Sequence, residues 1–166
     1  ARGHRKQRVE RRVVVAAAGV ALEVVLLDAQ RAAPAVEGAR GLDLMAKGVE
    51  PQAAIAQLLA DDAGRESRQL GMIDMQGRAA AHTGKGNSFW AGSRQGKHYT
   101  VQANIMVGPE VIDAVATVFE ATEGTGMSLA ERMILALEAG QSKGGDSRWG
   151  NVQSAAIRIA AARAYK

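Results

Sequence analysis

Cysteine is absent from the 166 residues, which excludes disulfide staples and thiolate metal sites and leaves the redox compartment open. Aromatic side chains make up only 4% of the chain. A core therefore has to be assembled from Ala, Val, Leu, Ile and Met, which suit close packing of helix on sheet. Histidine is scarce too: His4, His82 and His98 stand far apart and fall into neither H-x-x-x-H nor H-E-x-x-H spacing, so no zinc motif is present. The stretch "GKGNS" at 84–88 lacks the spacing of a phosphate-cradling P-loop, and no serine is framed as G-x-S-x-G. A Ser-His-Asp set can be drawn only from scattered residues, Ser88 or Ser93 with His82 or His98 and Asp146. His82 reads more simply as a hydrogen-bonded structural residue. No internal repeat is visible, and no metal or cofactor is expected.

What is present fits one globular domain with an ordinary apolar content of 47%. The formal charge of +4 is unevenly placed. "ARGHRKQRVERR" at 1–12 holds six Arg or Lys against one Glu, a net of +5, so residues 13–166 sum to −1. We read 1–12 as a basic, solvated arm and 13–166 as the domain. The arm could meet nucleic acid through phosphates, but no basic-aromatic interleaving follows it, so nucleic-acid binding is not expected. "VVVAAAGVALEVVLL" at 13–27 has the order of a secretory leader, basic run then apolar run. Glu23 inside it opposes membrane insertion, and the run is too short to span. It reads as a buried element of the domain, with a cytoplasmic location favoured over secretion and no membrane span.

Along the chain, "GLDLMAKG" places Leu42, Met45 and Ala46 at helical spacing before Gly48. A second helix starts at Pro51 with Ile55, Leu58 and Leu59 on one face. Residues 68–82 read as a hairpin turning at Gly77. Four glycines between 84 and 96 suggest a loop anchored by Phe89 and Trp90. "HYTVQANIMVG" alternates Tyr99, Val101, Ala103 and Ile105 against Thr100, Gln102, Asn104 and Met106 and reads as a strand with an amide-bearing face opposite an apolar one. Two helices follow, one opening at Pro109 and one capped by Ser128 with Glu131, stopping at Gly140. After the glycine-rich turn "KGGDSRWGN", "VQSAAIRIAAA" reads as a last strand. Helix pairs between antiparallel strands predict an α+β protein with helices layered on sheet.

Four segments, "RGLDLMAKG", "RQLGMIDMQGRAAAHTG", "WAGSRQGKHYTVQANIMVGPEVIDAVATVFEAT" and "LAERMILALEAGQSKGGDSRWGNVQSAA", together resemble the bacterial and archaeal family known as domain of unknown function 1028. The resemblance runs from about residue 39 to 157, and residues 1–38 depart from the family's opening strands. It implies a four-layer αββα Ntn-hydrolase-like sandwich, here with an incomplete sheet. Ntn hydrolases cleave amide bonds with an N-terminal Thr, Ser or Cys whose α-amine acts as base. This chain opens Ala1-Arg2-Gly3, and neither Thr, Ser nor Cys precedes Ser67; its first Thr is Thr83. The resemblance implies catalytic candidates Thr83, Asn104 and Asp146: a hydroxyl, an oxyanion donor and an orienting carboxylate. It implies substrate contacts at Trp90, Gln102, Gly144, Gly145, Gln153 and Ser154. The implied ligand is a small amide, and a homo-oligomer is expected. The competing reading is a non-catalytic binding or envelope-associated structural protein on the same fold.

Overall fold

The computed structural model describes residues 14–17, 23–28, 34–87 and 89–148. The basic run 1–12 and the strand expected after residue 151 lie outside them. The protein is α+β. In chain order its elements are β1 (Val14–Ala17), β2 (Glu23–Asp28), α1 (Pro34–Ala46), α2 (Pro51–Ala60), β3 (Arg68–Ile73), β4 (Ala79–Thr83), β5 (Trp90–Gly96), β6 (Tyr99–Met106), α3 (Glu110–Ala121) and α4 (Leu129–Ser142). The apolar run 13–27 thus supplies two strands. Two three-stranded antiparallel sheets result, ordered β1-β6-β5 and β2-β3-β4. No helix among the described residues is long and apolar enough to cross a membrane.

Each sheet carries one helix pair, because alternation along its strands sends apolar side chains to one face. On β3, Leu70 and Met72 join Ala80 of β4 and meet Met45, Ala54, Ile55 and Leu58 of α1 and α2. On β6, Tyr99, Val101 and Ala103 meet Val111, Ile112, Val115, Ala116 and Phe119 of α3, with Ala136 of α4. The alternate residues of β3 and β6 face each other across the two sheets. A Cβ placed on Gly71 would lie 2.1 Å from Gln102 Nε2, so the missing side chain is what lets that carboxamide fit.

Two expectations are corrected by packing. Residues 90–96, expected as loop, form β5 and pair with β6. The glycines that disturb the pattern there make room for rings: a Cβ on Gly92 would sit 2.6 Å from Trp90 Cη2, and one on Gly96 2.4 Å from Tyr99 Cε1. Gly140 does not end α4, which continues to Ser142. It is the point where α4 approaches α3, and a Cβ there would lie 2.6 Å from Val115 Cγ2.

The two hairpin turns dock at one end of the molecule. His98, itself at φ 69, donates its backbone N–H to Gly77 O at 2.9 Å. Gly77 has φ 77, the left-handed conformation that the turn requires. The other end, where β4 and β6 finish and β5 begins, gathers the polar side chains.

Candidate functional site

Between the sheets lies a layer of fully or nearly buried polar side chains: Gln69 on β3, and Thr100, Gln102 and Asn104 on β6. Buried amides are costly without partners, and most of these are satisfied by one another. Asn104 Nδ2 donates to Gln69 Oε1 at 2.9 Å. Gln69 Nε2 in turn donates to Ala103 O at 2.9 Å, Thr83 Oγ1 at 3.2 Å and Gly92 O at 3.3 Å. One side chain of β3 therefore ties together β4, β5 and β6. Gln102 Nε2 donates to Thr100 Oγ1, while its Oε1 is buried without a hydrogen-bond donor among the described residues.

The position of Asn104 depends on a bulge. Trp90 pairs with Met106 and Gly92 with Ala103, a register shift that places one extra residue on β6. Ile105 absorbs it at φ 62, a strained region for a β-branched residue. The strain is held by the chain that follows α4. Ser147 donates to Ile105 O through both its N–H, at 2.9 Å, and its hydroxyl, at 3.0 Å. Val107 N–H donates to Gly145 O at 3.1 Å, and Asp146 bridges to Met106. Bulges of this kind redirect side chains beside functional sites; here Asn104 stays between the sheets and Met106 returns to the helix-side core.

The candidates implied by the resemblance fall into three groups. Thr83, Gln102 and Asn104 lie on the inter-sheet layer, Thr83 and Asn104 joined through Gln69. Trp90 and Asp146 stand at the same end of β6, on either side of Met106, but Trp90 packs against the helix-side core. The Asp146 carboxylate receives Arg148 N–H at 2.9 Å, Nε at 2.9 Å and Nη2 at 2.6 Å; the same pairing raises the pKa of the Arg148 guanidinium. Gly144 and Gly145 have φ 103 and 55 and turn the chain from α4 back to β6. Gln153 and Ser154 lie outside the described residues.

Of the Ser-His-Asp set, Ser88 lies outside the described residues, and the histidines and Asp146 are not brought together. His82 Nε2 is 3.0 Å from Arg65 O, His98 sits at the opposite, hairpin end, and Asp146 is paired with Arg148. Sequence reasoning missed Gln69, the hub, and Ser147, the clamp. The available signal was a glutamine inside "RQLGMI", followed only by glycine and apolar residues to the end of the strand. Chemically the layer is neutral, offering amide donors, amide acceptors and hydroxyls.

Fold and layer together define an α+β protein of two facing antiparallel sheets with a polar seam. The chain belongs to the family of unknown function DUF1028, which it matches over residues 7–166. That match begins well before residue 39, so the departure expected of the first 38 residues is corrected from residue 7 onward. β1 and β2 within that stretch take places in both sheets, as their apolar pattern allows. A solved structure of the same family, protein SPO2555 from Silicibacter pomeroyi, is similar at 27% identity and a TM-score of 0.64. The likeness covers 72% of this chain and 54% of that one, so the chain spans about half the length of this relative. No curated protein matches.

Proposed function

We propose that the chain is a four-layer αββα, Ntn-hydrolase-like scaffold that binds a small amide at the inter-sheet seam, and that Thr83 is not an activated nucleophile. The scaffold reading is supported by a helix pair on one face of each sheet and by side chains meeting between the remaining faces. The observation that carries the ligand class is Gln102 Oε1, a buried acceptor lacking a donor among the described residues, beside the carboxamide chain Asn104–Gln69. An amide N–H supplies what Gln102 lacks, and an amide carbonyl is the natural acceptor for Asn104 or Gln102 donors. Thr83 Oγ1 accepts from Gln69, and its neighbour His82 is engaged with Arg65 O. A hydroxyl without a base is a poor nucleophile.

The test is nuclear magnetic resonance titration with N-methylacetamide and its ester isostere methyl acetate, following the side-chain NH2 signals of Gln102 and Asn104. Saturable shifts with the amide and none with the ester are expected. Equal response to both, or to neither, would overturn the ligand class. Mass spectrometry after treatment with a β-lactone probe is expected to find Thr83 unmodified; acylation of Thr83 would restore the hydrolase reading.

A further inference from the structure

The cleft at the hairpin end belongs to no part of the seam. The cleft lies on the helix side of β6, with Tyr99, whereas the alternating seam residues Thr100, Gln102 and Asn104 face the other sheet. Its volume is about 370 Å³, at the small end of the range for ligand sites. Phe119 and Tyr99 make an apolar floor, their ring centroids 5.5 Å apart and tilted by 56°, and Leu129 continues it.

The charges on this cleft are of both signs, and their pairing is uneven. Arg132 lies over the Phe119 ring, 4.3 Å from its centroid. Its Nη2 donates to Phe119 O at 2.8 Å and its Nε to Thr122 Oγ1 at 3.3 Å, which fixes the guanidinium and leaves Nη1 without a partner among the described residues. Glu120 is already engaged, by the Tyr99 hydroxyl and by Arg94 Nη2. Lys97 and Glu123 also line the cleft, and neither has an ion-pair partner among the described residues. The cleft therefore presents a fixed cation with a spare donor, a second cation, one uncommitted carboxylate and an apolar floor. A ligand carrying only one sign of charge would leave part of that set unmatched.

We propose that this cleft binds a free apolar α-amino acid, its carboxylate held by Arg132 Nη1 and Lys97, its ammonium by Glu123, and its side chain against Phe119 and Leu129. The proposal is independent of the amide-binding reading of the seam. Calorimetric titration with L-phenylalanine, L-phenylalaninamide and N-acetyl-L-phenylalanine separates the two charges. The free amino acid is expected to bind about tenfold more tightly than either capped form, a loss of about 1.4 kcal/mol per removed charge. Lys97→Gln should weaken the free acid and the N-acetyl form and spare the amide. Glu123→Gln should weaken the free acid and the amide and spare the N-acetyl form. Both side chains are on the surface, and an unchanged thermal midpoint verifies folding. Capped forms binding as tightly as the free acid, variants without effect, or no binding by the folded wild type would each overturn the proposal.

Discussion

Gln69 shows how much of the seam rests on one residue. It is fully buried, and its carboxamide receives from Asn104 while donating to groups on three strands. Truncation strands Asn104 Nδ2 and leaves Ala103 O with one partner fewer. Gln69→Ala is expected to cost about 1–3 kcal/mol, measured as a lower denaturant midpoint. Gly71→Ala should cost a similar amount, about 1–3 kcal/mol, by overpacking, since its methyl would fall 2.1 Å from Gln102 Nε2. That contact is with a flexible side-chain end, but one fully buried in the seam. Little of this was legible in the linear chain. The alternation in "HYTVQANIMVG" correctly placed Gln102 and Asn104 on one polar face; nothing local paired that face with Gln69.

At the level of single elements, local signals read well where a cap or period was at stake. Ser128 and Glu131 form the expected capping box: Ser128 Oγ accepts from Glu131 N–H at 3.3 Å and Glu131 Oε2 accepts from Ser128 N–H at 2.8 Å. The Ser128 hydroxyl and N–H hold the Glu131 carboxyl below its usual range. Ser128→Ala should lower stability by about 1 kcal/mol, seen as a reduced thermal midpoint. Gly77 turned its hairpin as expected. β5 and Gly140 were misread because a glycine's local meaning, breaking a pattern, differs from its packed meaning, admitting a ring or a helix. That distinction depends on a neighbour remote in sequence, Tyr99 for Gly96 and Val115 for Gly140.

Across the whole molecule, two apolar cores sit on the outer sides of the sheets and a polar seam lies between them. Helix α2 is also tied down at its two ends, through the partly buried Asp62 and the buried Asp74. Arg68 lowers the pKa of Asp62 through a 2.9 Å hydrogen bond, outweighing partial desolvation. For Asp74, burial pushes the pKa up, but donation from Arg78 Nε and from the Arg78 and Gln76 N–H groups outweighs it and the net shift is downward. Arg78 continues to Glu50 just before α2. Both carboxyls have folded pKa values below their unfolded ones. Their stabilisation is therefore present above about pH 4, the unfolded range, and is lost as pH falls through the lower folded values. The denaturant midpoint is expected to decline below about pH 4; Asp74→Asn should be less stable at neutral pH and show a shallower acid decline. Equal acid slopes for the two proteins would remove Asp74 from this account.

By itself the sequence determined the α+β class, most helix and strand segments and the capping of α4, because these rest on periodicities and spacings within a few residues; membership of the family rests on the likeness of four separated segments. Only the tertiary structure decided that Gln69 faces Asn104, that Gly71 makes room for Gln102, and that Lys97, Glu123 and Arg132 share one cleft. Those meetings are set by how two sheets and a helix pair stack. The contact energies that select the stacking act between residues distant along the chain, beyond the reach of any local pattern.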